Sequence, residues 1–220
     1  MFLGHFALAM AARKIAPQAS LGTLVLSAQF ADCLWPVLLL LGLEQVRIAP
    51  GITRVTPLDF ISYPISHSLL LQLMWGFLLG GAYFIWRRDI RAALVVAALL
   101  PTHWLLDYFS HRPDMPLYPG GPKVGLGMWN SLPLTLLVEF GLLLIGLLLY
   151  LRATRSKGSG SYGLWSFVVF LAAVYAASVL GPPPPNVRVV ALSALALWLT
   201  VPWTAWADRQ RELRLANLHP

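Results

Sequence analysis

Stretches of mainly apolar residues, each about twenty residues long and so able to cross a bilayer, recur along this 220-residue sequence. They constrain its fold more than any other feature. Hydrophobic residues make up 58% of the chain and charged residues only 11%, whereas soluble domains carry about 25% charged residues. The sequence therefore predicts an all-α fold, a polytopic membrane helical bundle with about six transmembrane helices. The predicted spans are 20–43, 61–86, 90–109, 129–151, 162–180 and 187–207.

The first dozen residues form an apolar segment that is too short to cross a membrane. The basic pair Arg13–Lys14 follows this segment, whereas in a cleaved signal peptide the basic residues come first. We expect a short N-terminal half-helix that enters the bundle or lies at the membrane interface.

Lysine and arginine are unevenly distributed between the connections of the predicted spans. Alternate connections carry eleven of the sixteen basic residues, and the positive-inside rule then places both termini in the cytoplasm. Because the basic residues cluster beside apolar runs, the net charge of +7 reflects membrane topology, and no nucleic-acid partner is expected. The eleven residues are Arg13, Lys14, Arg87, Arg88, Arg91, Arg152, Arg155, Lys157, Arg209, Arg211 and Arg214.

Acidic and histidine side chains occur inside the predicted spans. Asp32 lies midway along the first, His67 in the second, His103 and Asp107 in the third, and Glu139 in the fourth. An aspartate at the centre of a membrane helix costs about 2.5–3.5 kcal/mol, so such residues normally face a cavity or a partner. In the predicted topology they share the outer half of the membrane, with Asp32 somewhat deeper, and we expect a pocket that opens outward.

The spacing of three of these side chains indicates a metal site. His103, Asp107 and His111 are four residues apart, so they share one helix face if the helix continues that far. Imidazole and carboxylate groups are ligands that suit a divalent metal, zinc or alternatively manganese. His5 joins them only if the N-terminal half-helix enters the bundle.

Each residue also has a purely structural interpretation. A single histidine such as His67 or His5 can hydrogen-bond a neighbouring helix. Glu139 and Thr135, four residues apart, can form a clasp between helices, and Arg112 in its loop can be a solvated charge. Asp32 has no basic residue deep in any span to pair with, which favours a functional role for it.

The order of these motifs resembles a known bacterial family, the YdjM-like predicted membrane-bound metal-dependent hydrolases, over roughly residues 1 to 140. It is more distantly similar to zinc-dependent phospholipase C. In that enzyme a His-x3-Glu pair closes the pattern, whereas this sequence has Thr135-x3-Glu139, so the resemblance implies one or two metals rather than three. The resemblance implies metal-binding roles for His5, Asp32, His67, His103, Asp107 and His111.

These observations lead to the hypothesis of a hydrolase in a bacterial cytoplasmic (inner) membrane. A metal-bound water would attack an ester or phosphoester of a lipid or lipid-linked substrate, with Asp32 or Glu139 as general base. Arg112 and Lys123 would bind an anionic head group. The expected organisation is a single membrane domain, in which 1–151 form the metal-site bundle and 152–220 add two transmembrane helices and a basic cytoplasmic tail.

Two other functions fit the same residues. Intramembrane Asp, Glu and His also form the ion or proton pathways of transporters and proton-coupled carriers. Alternatively, a metal held by four protein ligands would act as a structural staple in a non-catalytic membrane protein. The sequence leaves the oligomeric state open.

Overall fold

The computed structural model describes residues 1–157 and 162–214 of this chain, so 215–220 of the predicted basic tail lie outside the described residues. The chain is a helical, multi-pass membrane protein. Among its described residues five helical spans are long and apolar enough to cross a membrane, or six if a bent pair of helices is counted as one span. The helices are α1 (Leu3–Ile15), α2 (Leu21–Ala28), α3 (Phe30–Leu40), α4 (Pro64–His67), α5 (Leu69–Arg87), α6 (Ile90–Ser110), α7 (Leu132–Ala153), α8 (Tyr162–Leu180), α9 (Val187–Ala194) and α10 (Leu197–Arg209).

The first two predicted spans differ from the structure. The first is broken at Gln29 into α2 and α3, whose axes differ by 54°. The second begins at Leu69 rather than near residue 61. Ser68 caps this helix, α5, because its side chain accepts a hydrogen bond from the Leu71 amide. His67 therefore lies in the four-residue helix before the span, because Ser68, which has an extended backbone, separates that turn from α5.

Short strands depart from the predicted all-α fold. They form three two-stranded antiparallel pairs, and every strand lies outside the spanning helices, since an open sheet edge is not tolerated against lipid. The strands are β1 (Gln45–Ile48), β2 (Leu58–Ser62), β3 (Met115–Pro116), β4 (Lys123–Val124), β5 (Thr154–Ser156) and β6 (Arg211–Leu213). We call the end of the bundle with β1 and β2 the hairpin end, and the end with β5 and β6 the basic end.

Helix α1 lies inside the bundle, as one of the two interpretations of the N-terminal segment expects. Its residues from Leu3 to Ala12 are mostly buried, and it packs mainly against α7 and α2. At Gly146 the backbone of α7 approaches Ala7 so closely that a Cβ atom would overlap the Ala7 carbonyl oxygen. Small residues allow this kind of close approach between membrane helices.

Helices α5 and α6 form a second close pair through glycine. A Cβ atom on Gly76 would lie 2.5 Å from the carbonyl oxygen of Ala97, and one on Gly80 would lie 2.8 Å from that of Ala93. The two glycines are four residues apart and so share one face of α5. This contact fixes the position of α6, which carries His103 and Asp107.

Two hydrophobic cores lie one above the other along the bundle. The larger one fills the half nearer the basic end and includes Leu24 and Leu99. The smaller one, at the hairpin end, includes Trp35 and Trp104. Because Leu99 and Trp104 are both in α6, the intervening His103 lies at the boundary between the two cores.

Candidate metal centre

Asp107 lies between two histidines at the centre of the bundle. Its Oδ1 is 3.1 Å from Nε2 of His5, and its Oδ2 is 3.1 Å from Nε2 of His103. The two imidazole rings stack with their centroids 3.6 Å apart. The same Oδ1 also accepts a hydrogen bond from the nitrogen of Met1. Burial of α1 thus brings His5 to the residues of α6.

A second group of potential ligands shares His103 with the first. Oδ1 of Asp32 is 3.3 Å from Nε2 of His67 and 3.9 Å from Nε2 of His103. In each group of three, one ligand atom per residue lies within 4.8 Å of the others. Four segments contribute to the two groups, namely α1, α3, α4 and α6. The five residues are His5, Asp32, His67, His103 and Asp107.

In His103 and His67, the hydrogen-bond partner of Nδ1 determines which ring nitrogen carries the proton. Nδ1 of His103 is 2.7 Å from the carbonyl oxygen of Ala28, which can only accept, so Nδ1 carries the proton. Nε2 of His103 then has a free lone pair, and it is one of the buried atoms without a hydrogen-bond partner among the described residues.

His67 is oriented by a hydroxyl and a carboxylate. Glu44 is buried and accepts hydrogen bonds from the amides of Ile65 and Ser66 (both 2.8 Å) and from the Ser66 hydroxyl (2.6 Å). Because that hydroxyl donates to Glu44, it accepts from Nδ1 of His67 at 2.7 Å. Nε2 of His67 therefore also presents a lone pair to the centre.

The arrangement of lone pairs fits a bound cation. The positively charged nitrogen of Met1 pairs with Oδ1 of Asp107. With Nδ1 carrying the proton in both rings, Nε2 of His67 and Nε2 of His103 present lone pairs to carboxylate oxygens of Asp32 and Asp107. Such atoms repel one another unless a positive charge lies among them. Imidazole nitrogen and carboxylate oxygen are ligands of zinc, and hydrogen bonds from the second ring nitrogen hold metal-binding histidines in this way.

Asp32 connects the centre to a cavity. Its side chain is 23% exposed, whereas those of His67, His103 and Asp107 are at most 5% exposed. The cavity has a volume of about 520 Å³ and is lined by residues of α3, α8, α9 and α10 as well as by the loop between β1 and β2. The last two spans, which the resemblance does not cover, therefore form part of the wall beside the centre.

His111 belongs to neither group of potential ligands, in contrast to the prediction from spacing. Helix α6 ends at Ser110, and His111 has an extended backbone, so it leaves the helix face that His103 and Asp107 share. Its Nδ1 instead lies 2.9 Å from Asp114 and 3.3 Å from the Tyr63 hydroxyl. Burial lowers the pKa of His111 and raises that of Tyr63 well above its ordinary value.

Glu139 caps a helix in this structure. Its two carboxylate oxygens accept hydrogen bonds from the amides of Phe2 and Gly4, each at 2.9 Å, at the N-terminus of α1. Thr135 donates to carbonyl oxygens just before its own helix, so of the predicted clasp between helices only the Glu139 part is formed. A carboxylate in this position is favoured by the helix dipole.

The predicted head-group residues lie away from the cavity. Arg112 pairs with Asp59 at 2.6 Å and with Asp114 at 3.4 Å. Lys123 donates to the carbonyl oxygen of Ile61 at 2.7 Å. Neither residue lines the cavity beside Asp32. In the structure both side chains connect separate loop segments at the hairpin end.

Glu44, which holds Ser66 and His67 in place, was not among the predicted site residues. It is separated by 22 positions from Ser66, and no local sequence pattern predicts the contact. The one available signal is a carboxylate close to the end of an apolar run, which is also typical of an exposed connection.

Comparison with known proteins gives a curated relative. The chain is similar to a subunit of the ion-translocating oxidoreductase complex of Sodalis glossinidius (strain morsitans), with 33% identity over 162 residues. The similarity covers 60% of this chain and 45% of that protein, so this chain spans less than half of its relative's length. No family model matches the chain, and no solved structure matches it.

This comparison contradicts the predicted function. The relative is named as a subunit of an ion-translocating oxidoreductase complex, which points to a membrane subunit and away from a hydrolase. The prediction of a metal-dependent hydrolase is therefore wrong. Its error has a physical origin, because a set of histidine and aspartate ligands indicates that a cation is bound and does not specify a reaction.

Proposed function

We propose that this chain is an integral-membrane subunit of a multi-protein complex and that its buried centre binds one divalent metal cation. The convergence of two histidine lone pairs on two carboxylates carries the metal part of this proposal. The name of the curated relative supports the subunit part. Membership of the YdjM-like family is proposed only through the sequence motifs.

The ligand set favours zinc, with manganese as the alternative. His5, His67 and His103 supply nitrogen, and Asp32 and Asp107 supply oxygen, which matches the preference of these borderline cations. One cation per chain is expected, because the two groups share a single lone pair on His103. When bound, the cation would supply positive charge that stabilises the carboxylates of Asp32 and Asp107.

The packing around the centre favours holding a cation over passing one across the membrane. Toward the hairpin end, Asp32 borders a cavity. Toward the basic end, the larger hydrophobic core is closely packed and includes Leu24, Leu99 and Leu143. We further propose that the basic end faces the cytoplasm, from the distribution of lysine and arginine. The cation would then reach the centre from the outside of a bacterial inner membrane.

The direct test is a zinc measurement on the purified full chain. We expect about one zinc ion per chain by elemental analysis after dialysis, and a visible absorption spectrum when cobalt is substituted. Asp107→Asn should lose most of the bound zinc. Asp114→Asn is the matched control, because Asp114 hydrogen-bonds His111 and Tyr63 outside the centre. Equal zinc contents in the two variants would refute the metal centre.

The subunit assignment has a separate test. Extraction of the chain from its native membranes in a mild detergent should give a particle larger than the 24.3 kDa chain, containing other identified subunits in fixed proportion. Recovery of only monomers or homo-oligomers would refute the subunit assignment and leave the metal centre standing.

A prediction follows from the hydrogen bonds behind His67. In Glu44→Gln, the amide nitrogen would donate to Ser66, whose hydroxyl would then donate to Nδ1 of His67 and move the proton of the ring to Nε2. A protonated Nε2 cannot bind a metal, so we expect a 10- to 100-fold weaker zinc affinity, measured by competition with a chelator.

Ser66→Ala provides the control for this prediction. It removes the hydroxyl that links Glu44 to His67 but leaves the imidazole of His67 free to carry its proton on Nδ1. The loss of zinc affinity should therefore be smaller than in Glu44→Gln. A larger loss in Ser66→Ala than in Glu44→Gln would contradict the proposed direction of the hydrogen bonds.

A further inference from the structure

The cavity beside Asp32 is built mainly from apolar side chains. Phe2, Phe170, Val174 and Leu197 are among those that line it, and its volume is about 520 Å³. Cavities of this size bind small organic molecules, and the apolar wall fits the hydrocarbon part of an amphiphile. The cavity lies in a chain that crosses a bilayer, so lipid is the most abundant apolar molecule around it.

Two buried donors in this wall have no partner. Nε1 of Trp35 and the hydroxyl of Tyr175 form no hydrogen bond among the described residues, although the two residues are only 7% and 3% exposed. Both residues line the cavity. A buried donor without an acceptor costs free energy, so an occupant that brings acceptors would be stabilised here.

The charges nearby select the kind of acceptor. Asp32 and Glu139 also line the cavity, and a carboxylate or phosphate beside them would be repelled. Trp35 and Tyr175 are neutral donors, and they match an uncharged acceptor such as the carbonyl oxygen of an ester. The occupant that fits is therefore apolar with a carbonyl group.

A second cavity leads from the first toward the surface at the hairpin end. Its volume is about 410 Å³, and it shares Val55, Ser178 and Val190 among other residues with the inner cavity. Arg54 lines this outer cavity, is exposed, and forms no ion pair with any described residue. A phosphate beside Arg54 would lie away from the carboxylates.

We propose that the two cavities together bind one phospholipid of the surrounding membrane. An acyl chain fills the inner cavity, its ester carbonyl accepts hydrogen bonds from Trp35 and Tyr175, and its phosphate lies beside Arg54. This inference goes beyond the proposed function, because it requires neither the cation nor a partner subunit.

The test compares an ester with an ether. Delipidated full-length protein in detergent is titrated with a diacyl phosphatidylglycerol and with its dialkyl ether analogue, which lacks the carbonyl oxygens. Native mass spectrometry gives the fraction of protein that carries lipid. We expect the ester to bind about tenfold more tightly, because it satisfies two buried donors.

Variants assign this preference to the two donors. Tyr175→Phe should lower the ratio of ester to ether affinity to about threefold, and the double variant with Trp35→Phe should remove the preference. Tyr83→Phe is the matched control, because its hydroxyl is also buried without a partner but lies outside both cavities. Arg54→Gln should weaken the binding of both lipids equally, since both carry the phosphate.

The Tm of each variant shows whether a change in lipid affinity results from misfolding. Because the Tyr175 hydroxyl is buried without a partner, Tyr175→Phe should not lower the Tm of the delipidated protein. Equal affinities of wild-type protein for the ester and the ether would overturn the proposal. A preference that survives in the double variant would overturn it as well.

Discussion

Replacement of His103 by alanine is expected to abolish metal binding completely. His103 is the one residue common to both groups of potential ligands, and its Nε2 lies within 3.9 Å of both Asp32 and Asp107. Its loss leaves two carboxylates without the nitrogen that bridges them. We expect a loss of zinc affinity of at least about 1,000-fold, which exceeds the 10- to 100-fold effects of residues behind the ligands.

The other histidines give a graded series for the same measurement. His5→Ala and His67→Ala each disrupt only one group, so each should reduce zinc affinity less than His103→Ala does. His111→Ala is the control, because its ring bonds Asp114 and Tyr63. If His111→Ala lost zinc as completely as His103→Ala, the spacing-based prediction would be restored and the structural grouping would be wrong.

Substitution of Gly146 by leucine is expected to displace α1 from the bundle. A side chain at this position would occupy the space of the Ala7 backbone, and backbone cannot move aside as a flexible side chain can. Overpacking of this kind typically lowers the free energy of unfolding by about 1–3 kcal/mol. Because α1 carries His5, the zinc affinity should fall together with the Tm.

Gly141→Leu is the matched control, since it lies in the same helix and a Cβ atom there meets nothing within 4 Å. Its Tm and zinc affinity should equal those of the wild type. The comparison uses thermal unfolding in detergent and competition with a chelator, as for Glu44→Gln. A Gly146→Leu protein with unchanged Tm would contradict the packing of α1 against α7.

Hydropathy predicted the membrane helices well where apolar composition coincides with helix. The span at 162–180 agrees with α8 at both ends, and the span at 90–109 agrees with α6 within one residue. It failed at 61–68, where an apolar composition is equally compatible with the end of β2, the short α4 and the cap at Ser68. Composition alone does not distinguish a helix from a strand.

Most members of the candidate site were predictable as polar residues within or beside apolar spans, although the contacts between them were not. The spacing of His103 and Asp107 places them on one helix face, and the structure brings His5, His67 and Asp32 to them. His111 fits the spacing but not the structure, because the end of α6 is set by the following loop. Glu44 and Tyr175 depend on contacts between distant segments, which no single-sequence pattern encodes. That these side chains bind a metal is still a prediction.

The docking of α1 has a consequence for how the protein is made. Residues Phe2 and Gly4 reach their acceptor, Glu139, across at least 135 positions of chain. The ribosome therefore finishes α1 long before it begins α7, the helix against which α1 packs. Helix α1 therefore cannot form its contacts with α7 until α7 has been inserted into the membrane. Docking of α1 against α7 is consequently a late event of biogenesis.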